Sequence, residues 1–116
     1  MIRRGEIWVA NLNPTRGSEI GKIRPVLVLQ ADWLTEQGAS TVIVVPLTSQ
    51  VRPTASALRF TIKARDRLLK DSQVVPEKIR AVDRTRFGPG PGPLARLEEP
   101  ELATIEKQLR AILGML

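Results

Sequence analysis

The sequence predicts a mainly β domain with α additions, a small antiparallel barrel or sheet carrying one C-terminal helix. Three observations lead there. Up to residue 82 the apolar residues come in short runs or in strict alternation, which is how strands read. Past residue 98 the period changes to that of an amphipathic helix. No strand–helix–strand alternation intervenes, so a parallel sheet is not expected. With 116 residues the chain can bury one modest core, and a single domain over 1–116 is the expectation.

Residues 5–12, Gly-Glu-Ile-Trp-Val-Ala-Asn-Leu, read as the first strand. Ile7 and Val9 fall on one face and Trp8, Ala10 and Leu12 on the other, so cover on both sides is expected. Asn13-Pro14 breaks it, and a polar loop with Gly17 and Gly21 runs to Lys22-Ile23. Pro25 to Gln30 is a second strand, apolar on both faces, with Arg24 at its mouth. Residues 32–38 fit either a short helical turn or a loop ending at Gly38. Thr41 to Leu47 is a third, strongly apolar strand, with Pro46 marking a bulge or its end.

Residues 58–63 alternate, with Leu58, Phe60 and Ile62 against Arg59, Thr61 and Lys63, as a half-exposed antiparallel strand would. Residues 64–71 form a charged turn, and 73–75 and 78–82 two short strands around Pro76-Glu77. The Gly-Pro repeat at 88–93 is expected to be an exposed, stiffened loop. Leu102, Ile105, Leu109, Ile112 and Leu113 then make one apolar stripe on a helix. Pro100 suits its first turn, and Glu98, Glu99 and Glu101 suit the positive end of its dipole.

Composition narrows the chemistry. The chain has neither Cys nor His. Disulfides, thiol nucleophiles, thiolate zinc sites and a histidine base are therefore absent. Chemistry must rest on Arg, Lys, Asp, Glu, Ser and Thr, and no close carboxylate cluster suggests a metal. No cofactor is expected. No apolar run reaches about eighteen residues, so no transmembrane helix is expected. Arg3 and Arg4 lack a following apolar segment, which argues against a signal peptide and for a cytoplasmic protein. The net charge is +6, and residues 59–97 hold ten basic against four acidic residues. Such a concentration attracts polyanions, nucleic acid foremost.

Three groups could act on one. Arg24, between a mobile loop and a rigid strand, offers five fixed donors that match phosphate; the plain alternative is a surface arginine solvating a strand end. Thr48 and Ser49 end the most apolar strand, where a hydroxyl could donate to a phosphate oxygen; ordinary turn chemistry is the alternative. Lys78, Arg80, Arg84 and Arg86 could form a basic row for phosphate contacts, since the three arginines share parity if the chain stays extended. Among the aromatics, Trp8 and Phe60 read as core, while Trp33 and Phe87 are candidates for base stacking.

Taken together these segments follow a known order. Arg4-Gly5-Glu6-Ile7-Trp8, then Leu12 to Glu19, then Lys22-Ile23-Arg24-Pro25-Val26-Leu27-Val28 closely resembles the opening of the MazF/PemK family of toxins. Val45 to Gln50 resembles its second motif, and Asp71 to Val74 followed by Ile79 to Asp83 its third. The Gly-Pro repeat departs from the pattern. The resemblance implies an SH3-like β-barrel with added helices, working as a homodimer. It further implies a metal-independent, ribosome-independent endoribonuclease that cuts single-stranded mRNA at a short sequence. A cognate antitoxin would cover the RNA site with an acidic tail.

By the same resemblance Arg24 and Thr48 are the expected catalytic pair. Ser18, Glu19 and Lys22 frame the site from the loop. Ser49, Gln50, Glu77, Lys78 and Arg80 are further expected RNA contacts. The implied reaction is attack of a 2′-hydroxyl on the adjacent phosphate, giving a 2′,3′-cyclic phosphate and a 5′-hydroxyl. A guanidinium stays charged in proteins, so Arg24 suits charge stabilisation and Glu19 is the candidate base. Two other readings share the fold: a toxin that inhibits DNA gyrase by binding it, and a non-catalytic RNA-binding module.

Overall fold

The computed structural model describes residues 1–55, 57–88 and 90–115. In chain order these form β1 (Glu6–Asn11), β2 (Ile23–Val28), α1 (Asp32–Glu36), β3 (Thr41–Thr48), β4 (Thr61–Ile62), β5 (Ser72–Val74), β6 (Arg80–Asp83), β7 (Ala95–Arg96) and α2 (Glu99–Leu113). Every strand pairing is antiparallel. The spatial order is β4-β5-β3-β2-β1-β7, with β6 also paired to β3. The sheet curls into an SH3-like half-barrel backed by the C-terminal helix, as the sequence predicted.

Because side chains alternate across a strand, the doubly apolar β2 and β3 feed two cores. Leu27, Leu29, Val45 and Leu47 join Ile7, Ile62 and Val74 under α2. Val26, Val28, Val42 and Val44 join Ala10, Leu12 and Val82 on the other face. Cover on both sides of β1 is incomplete at one place, since Val9 remains 40% exposed. α2 adds Leu102, Ile105 and Leu109 to the first core. A capping box between Glu98 and Glu101 starts it and left-handed Gly114 ends it. The last part of its predicted stripe leaves the core, with Leu113 53% exposed.

Several expectations are corrected. β2 begins two residues early, takes in Ile23 and Arg24, and ends at Val28 rather than Gln30. Pairing with β3 starts only at Val26, so Pro25 sits where its missing N–H is tolerated. Residues 32–36 are helical, and Gly38 leaves the turn at φ +86. Pro46 lies inside β3 at a change of partner: β6 pairs with Thr41 to Val44, β5 with Leu47 and Thr48. The strand expected over 58–63 shrinks to two residues, because a tight turn hydrogen-bonds the Leu58 and Arg59 N–H groups to the Ala55 carbonyl.

The basic row is not formed. β6 stops at Asp83, whose side chain caps a 3₁₀ turn over Arg84–Arg86 and ends the shared parity. Phe87 is not free to stack on a base, since it meets Trp8 edge-on at 6.3 Å between centroids. Trp33 is exposed as expected, Phe60 packs on the first core, and Trp8 is half-buried against the second. Of the Gly-Pro repeat, residues 88 and 90–93 are exposed or half-buried and cross beside Trp8 and Val9; Pro89 lies outside the described residues. Strand β7 was not anticipated. It is two residues long and exists through pairing with β1.

Candidate active site

Register places the two principal candidates together. β2 and β3 pair Val26 with Pro46, Leu27 with Val45 and Val28 with Val44. Carried two residues past Val26, the same register sets Arg24 opposite Thr48, both with the parity of the Val26–Val44 face. Side chains so placed have Cβ atoms about 5 Å apart. On the other side of β2, Arg24 pairs with Ala10, whose short side chain leaves room for a guanidinium. Both candidates line one cleft of about 600 Å³.

Their hydrogen bonds leave the useful donors free. Arg24 Nε donates to the Gly21 carbonyl at 2.8 Å, and Nη1 to the Leu47 carbonyl at 3.5 Å. These contacts hold the guanidinium plane, while Nη2 has no partner among the described residues. Thr48 Oγ1 accepts from the Gln50 N–H at 3.2 Å, so its own proton can be donated outward. A phosphate in the cleft would meet a fixed cation and an oriented hydroxyl.

The surrounding wall comes from three loops. Glu19, Ile20 and Gly21 supply one, Gln50 and Arg52 a second, and Glu77 and Lys78 a third. Lys78 Nζ donates to the Ser18 carbonyl at 3.0 Å and so ties the third loop to the first. A Cβ at Gly21 would lie 2.7 Å from Asn13 Oδ1, so the Asn13 side chain, which accepts from the Lys22 N–H, would have to shift. Glu19 Oε1 accepts from the Arg16 N–H at 2.7 Å, leaving its second oxygen free among the described contacts.

Glu77 is not a free carboxylate. Its burial favours the neutral form, but hydrogen bonds from Arg59 and its own N–H, with the nearby Arg59 and Lys78 charges, outweigh that and hold it below the usual range. The Arg59–Glu77 ion pair measures 2.9 Å. Glu77 is therefore charged and committed, a poor proton acceptor.

The remaining sequence candidates scatter. Arg80 faces an adjoining cleft of about 320 Å³ that shares Glu19, Glu77 and Lys78 with the first. Ser49 lines a cleft on the far side of Arg24. Ser18 and Lys22 are not among the described lining residues; Ser18 serves through its carbonyl, and Lys22 sits exposed at φ +70 with its N–H on Asn13 Oδ1. Among the described residues, no group of three or more carboxylates could hold a metal ion.

Comparison with known proteins shows the family. Residues 3–113 match the profile of the PemK-like, MazF-like toxins of type II toxin–antitoxin systems. The chain belongs to that family. The motif resemblance carried by Arg24 and its neighbours is thereby borne out. MazF from Deinococcus radiodurans superposes with a TM-score of 0.82 at 25% identity, covering 98% of this chain and 97% of that one. The same protein in its MazE–MazF complex gives 0.75 at 25% identity over 99% and 97% of the two chains. Mycobacterium tuberculosis toxin MazF-mt6 shares the fold, with a TM-score of 0.76 at 20% identity over 96% of this chain and 98% of that one.

Two residues of the toxin's site escaped the sequence reading. Gln73 is fully buried, and its amide accepts from the Arg52 N–H at 3.1 Å and donates to the Arg52 carbonyl at 3.1 Å. It pins the Gln50–Arg52 wall from below. The available signal was a glutamine inside an apolar strand, where a buried amide requires partners. Arg59, read as a solvent-facing strand residue, instead lines the cleft and binds Glu77; the truncated β4 is what turns it inward.

Proposed function

We propose that the toxin is a metal-independent endoribonuclease of single-stranded mRNA, sequence-specific and ribosome-independent. The observation that carries this reading is the juxtaposition of Arg24 and Thr48 in one cleft, each with an uncommitted donor. A scissile phosphate accepts from Arg24 Nη2 and from the Thr48 hydroxyl. The adjacent 2′-hydroxyl attacks phosphorus, the P–O5′ bond breaks, and a 2′,3′-cyclic phosphate and a 5′-hydroxyl result. Arg24 stabilises the charge that accumulates on the non-bridging oxygens. Glu19, on the loop over the cleft, takes the 2′-hydroxyl proton through its free oxygen, and solvent water supplies the proton that the departing 5′-oxygen gains.

The toxin works in the cytoplasm as a homodimer. It is neutralised by a cognate antitoxin, as the existence of a MazE–MazF complex for its Deinococcus relative suggests. The cations Arg24, Arg52 and Lys78 along the cleft suit an acidic antitoxin segment.

The test is incubation of the purified protein with a defined single-stranded RNA in EDTA, followed by analysis of both new ends. Cleavage with cyclic-phosphate and 5′-hydroxyl ends, abolished in Arg24→Ala, is expected. Intact RNA together with inhibition of DNA gyrase would replace this reading with the binding toxin of the same fold. RNA binding without scission would replace it with the non-catalytic module.

A further inference from the structure

Arg24 has a second face. Besides the cleft it shares with Thr48, it lines another of about 400 Å³, toward Ser49 and the 67–70 turn. Among the described residues no carboxylate lines this second cleft, whereas Glu19 and Glu77 line the first. Its cations are Arg24, Arg67 and Lys70. Arg67 is engaged with the Pro93 carbonyl, but Lys70 is exposed and has no ion pair or side-chain hydrogen bond among the described residues. The Ser49 hydroxyl is uncommitted among them as well.

The floor is unusual in a different way. Leu69 is 85% exposed and Ile23 is 68% exposed, and both line this cleft. Large aliphatic side chains left in water next to cations that have no carboxylate partner among the described residues describe a surface made for a ligand that is flat and apolar on its faces and anionic at its edge. A nucleotide has that chemistry. A polyanion whose phosphate is held at Arg24 must continue past it, and this cleft adjoins the same guanidinium.

We propose that the second cleft is the subsite for the nucleotide adjoining the bond cleaved at Arg24. Its base lies against Leu69 and Ile23, and its outer phosphate is met by Lys70, with Ser49 as a polar contact between them. The proposal rests on the reading of the Arg24–Thr48 cleft as an RNA-cleaving site. It assigns the 67–70 part of the charged turn, which no motif covered, a part in substrate binding.

The experiment measures binding and cleavage separately. Affinity for an RNA of defined sequence, made uncleavable by 2′-deoxy substitution at the bond that the toxin cuts, is titrated by fluorescence anisotropy over a salt series. Where no cleavage is found, an all-purine and an all-pyrimidine oligomer serve as probes. The wild type is compared with Lys70→Ala and Leu69→Ser, both at exposed positions, so folding is not at stake. Lys70→Ala should weaken binding about fivefold and lower the slope of log affinity against log salt by about 0.7, as loss of one phosphate contact to a single strand does. Leu69→Ser should weaken binding without changing the slope.

Wild-type affinity and slope in both variants would overturn the subsite while leaving the nuclease reading intact. Reduced binding in the variants together with no cleavage of any RNA by the wild type would overturn the nuclease reading and, with it, the subsite's place beside a cleaved bond. A wild type that binds no RNA overturns both. A changed elution volume for Leu69→Ser, with RNA affinity unaltered, would assign the apolar patch to contact between copies of the chain and would also overturn the proposal.

Discussion

The two walls of the cleft are held by different forces. The β2–β3 wall rests on Val26, Leu27, Val28, Val44 and Val45, all fully buried. The loop opposite, residues 13–22, leaves the core after buried Leu12, has Ile20 as its partly buried anchor and is held further by cations on carbonyls in and beside it. Arg86 reaches the carbonyls of Asn11 (3.0 Å) and Asn13, Arg80 that of Leu12 (3.4 Å), Lys78 that of Ser18 (3.0 Å) and Arg24 that of Gly21 (2.8 Å). Apolar register fixes position irrespective of salt, whereas exposed cation–carbonyl contacts compete with solvent ions and with any polyanion that enters. The proposed catalytic pair stands on the apolar wall, and the loop wall faces it across the cleft.

The largest effect should fall on the apolar wall. Arg24→Ala should lower single-turnover cleavage by about 10³-fold, the scale for removing a donor aimed at developing charge. Its melting temperature should stay close to that of the wild type, because the frame does not depend on the guanidinium. A melting temperature that falls with activity would erase the distinction between frame and site. Thr48→Val keeps shape and removes the hydroxyl; a loss of about 10²-fold in kcat with KM nearly unchanged is expected. An effect confined to KM would make Thr48 a binding residue.

The loop wall gives a smaller signal. Arg86→Ala removes contacts to two carbonyls at the root of the loop, and amide hydrogen exchange over residues 12–22 should quicken by about fivefold at unchanged global stability. Exchange that also quickens in β2 and β3 would show the two walls to be one cooperative unit. Raising ionic strength should mimic the substitution in the loop alone.

The smallest effect lies outside both walls. Arg65 grips Glu101 of α2 through two hydrogen bonds of 2.9 and 2.6 Å. The Arg65 hydrogen bond, against burial and with help from the Glu98 N–H, holds the Glu101 carboxyl below its usual range. A depressed folded value contributes stability that is fully present above the unfolded value, about 4.3, and is lost as pH falls through the folded one. Glu101→Gln should flatten the acid fall of the melting temperature between about pH 5 and pH 3, leaving cleavage at neutral pH untouched.

What the sequence disclosed follows the same division. Strand periodicity, the doubly apolar β2 and β3 and the α2 stripe were legible because burial alone writes them. The Arg24–Thr48 pairing was legible only through motif resemblance, since the β2–β3 register that sets them opposite is a pairing between segments distant in the chain, which neither strand's own pattern specifies. Roles decided by loop closure were not legible. Arg86 and Arg80 read as a phosphate row, yet the 3₁₀ turn after Asp83 breaks their parity, and both donate to loop carbonyls. Gln73 read as one residue of a motif, although both walls of its role lie in the buried amide's need for partners.

One substrate change reaches the central claim, that a 2′-hydroxyl attacks a phosphate held by Arg24 and Thr48. An RNA cleaved by the wild type is resynthesised with a single 2′-deoxy substitution at the nucleotide 5′ to the cut. Undiminished binding with cleavage lost at that bond, in EDTA, is the expected result. Cleavage of the deoxy-substituted bond would contradict it, because no 2′-oxygen would be there to attack.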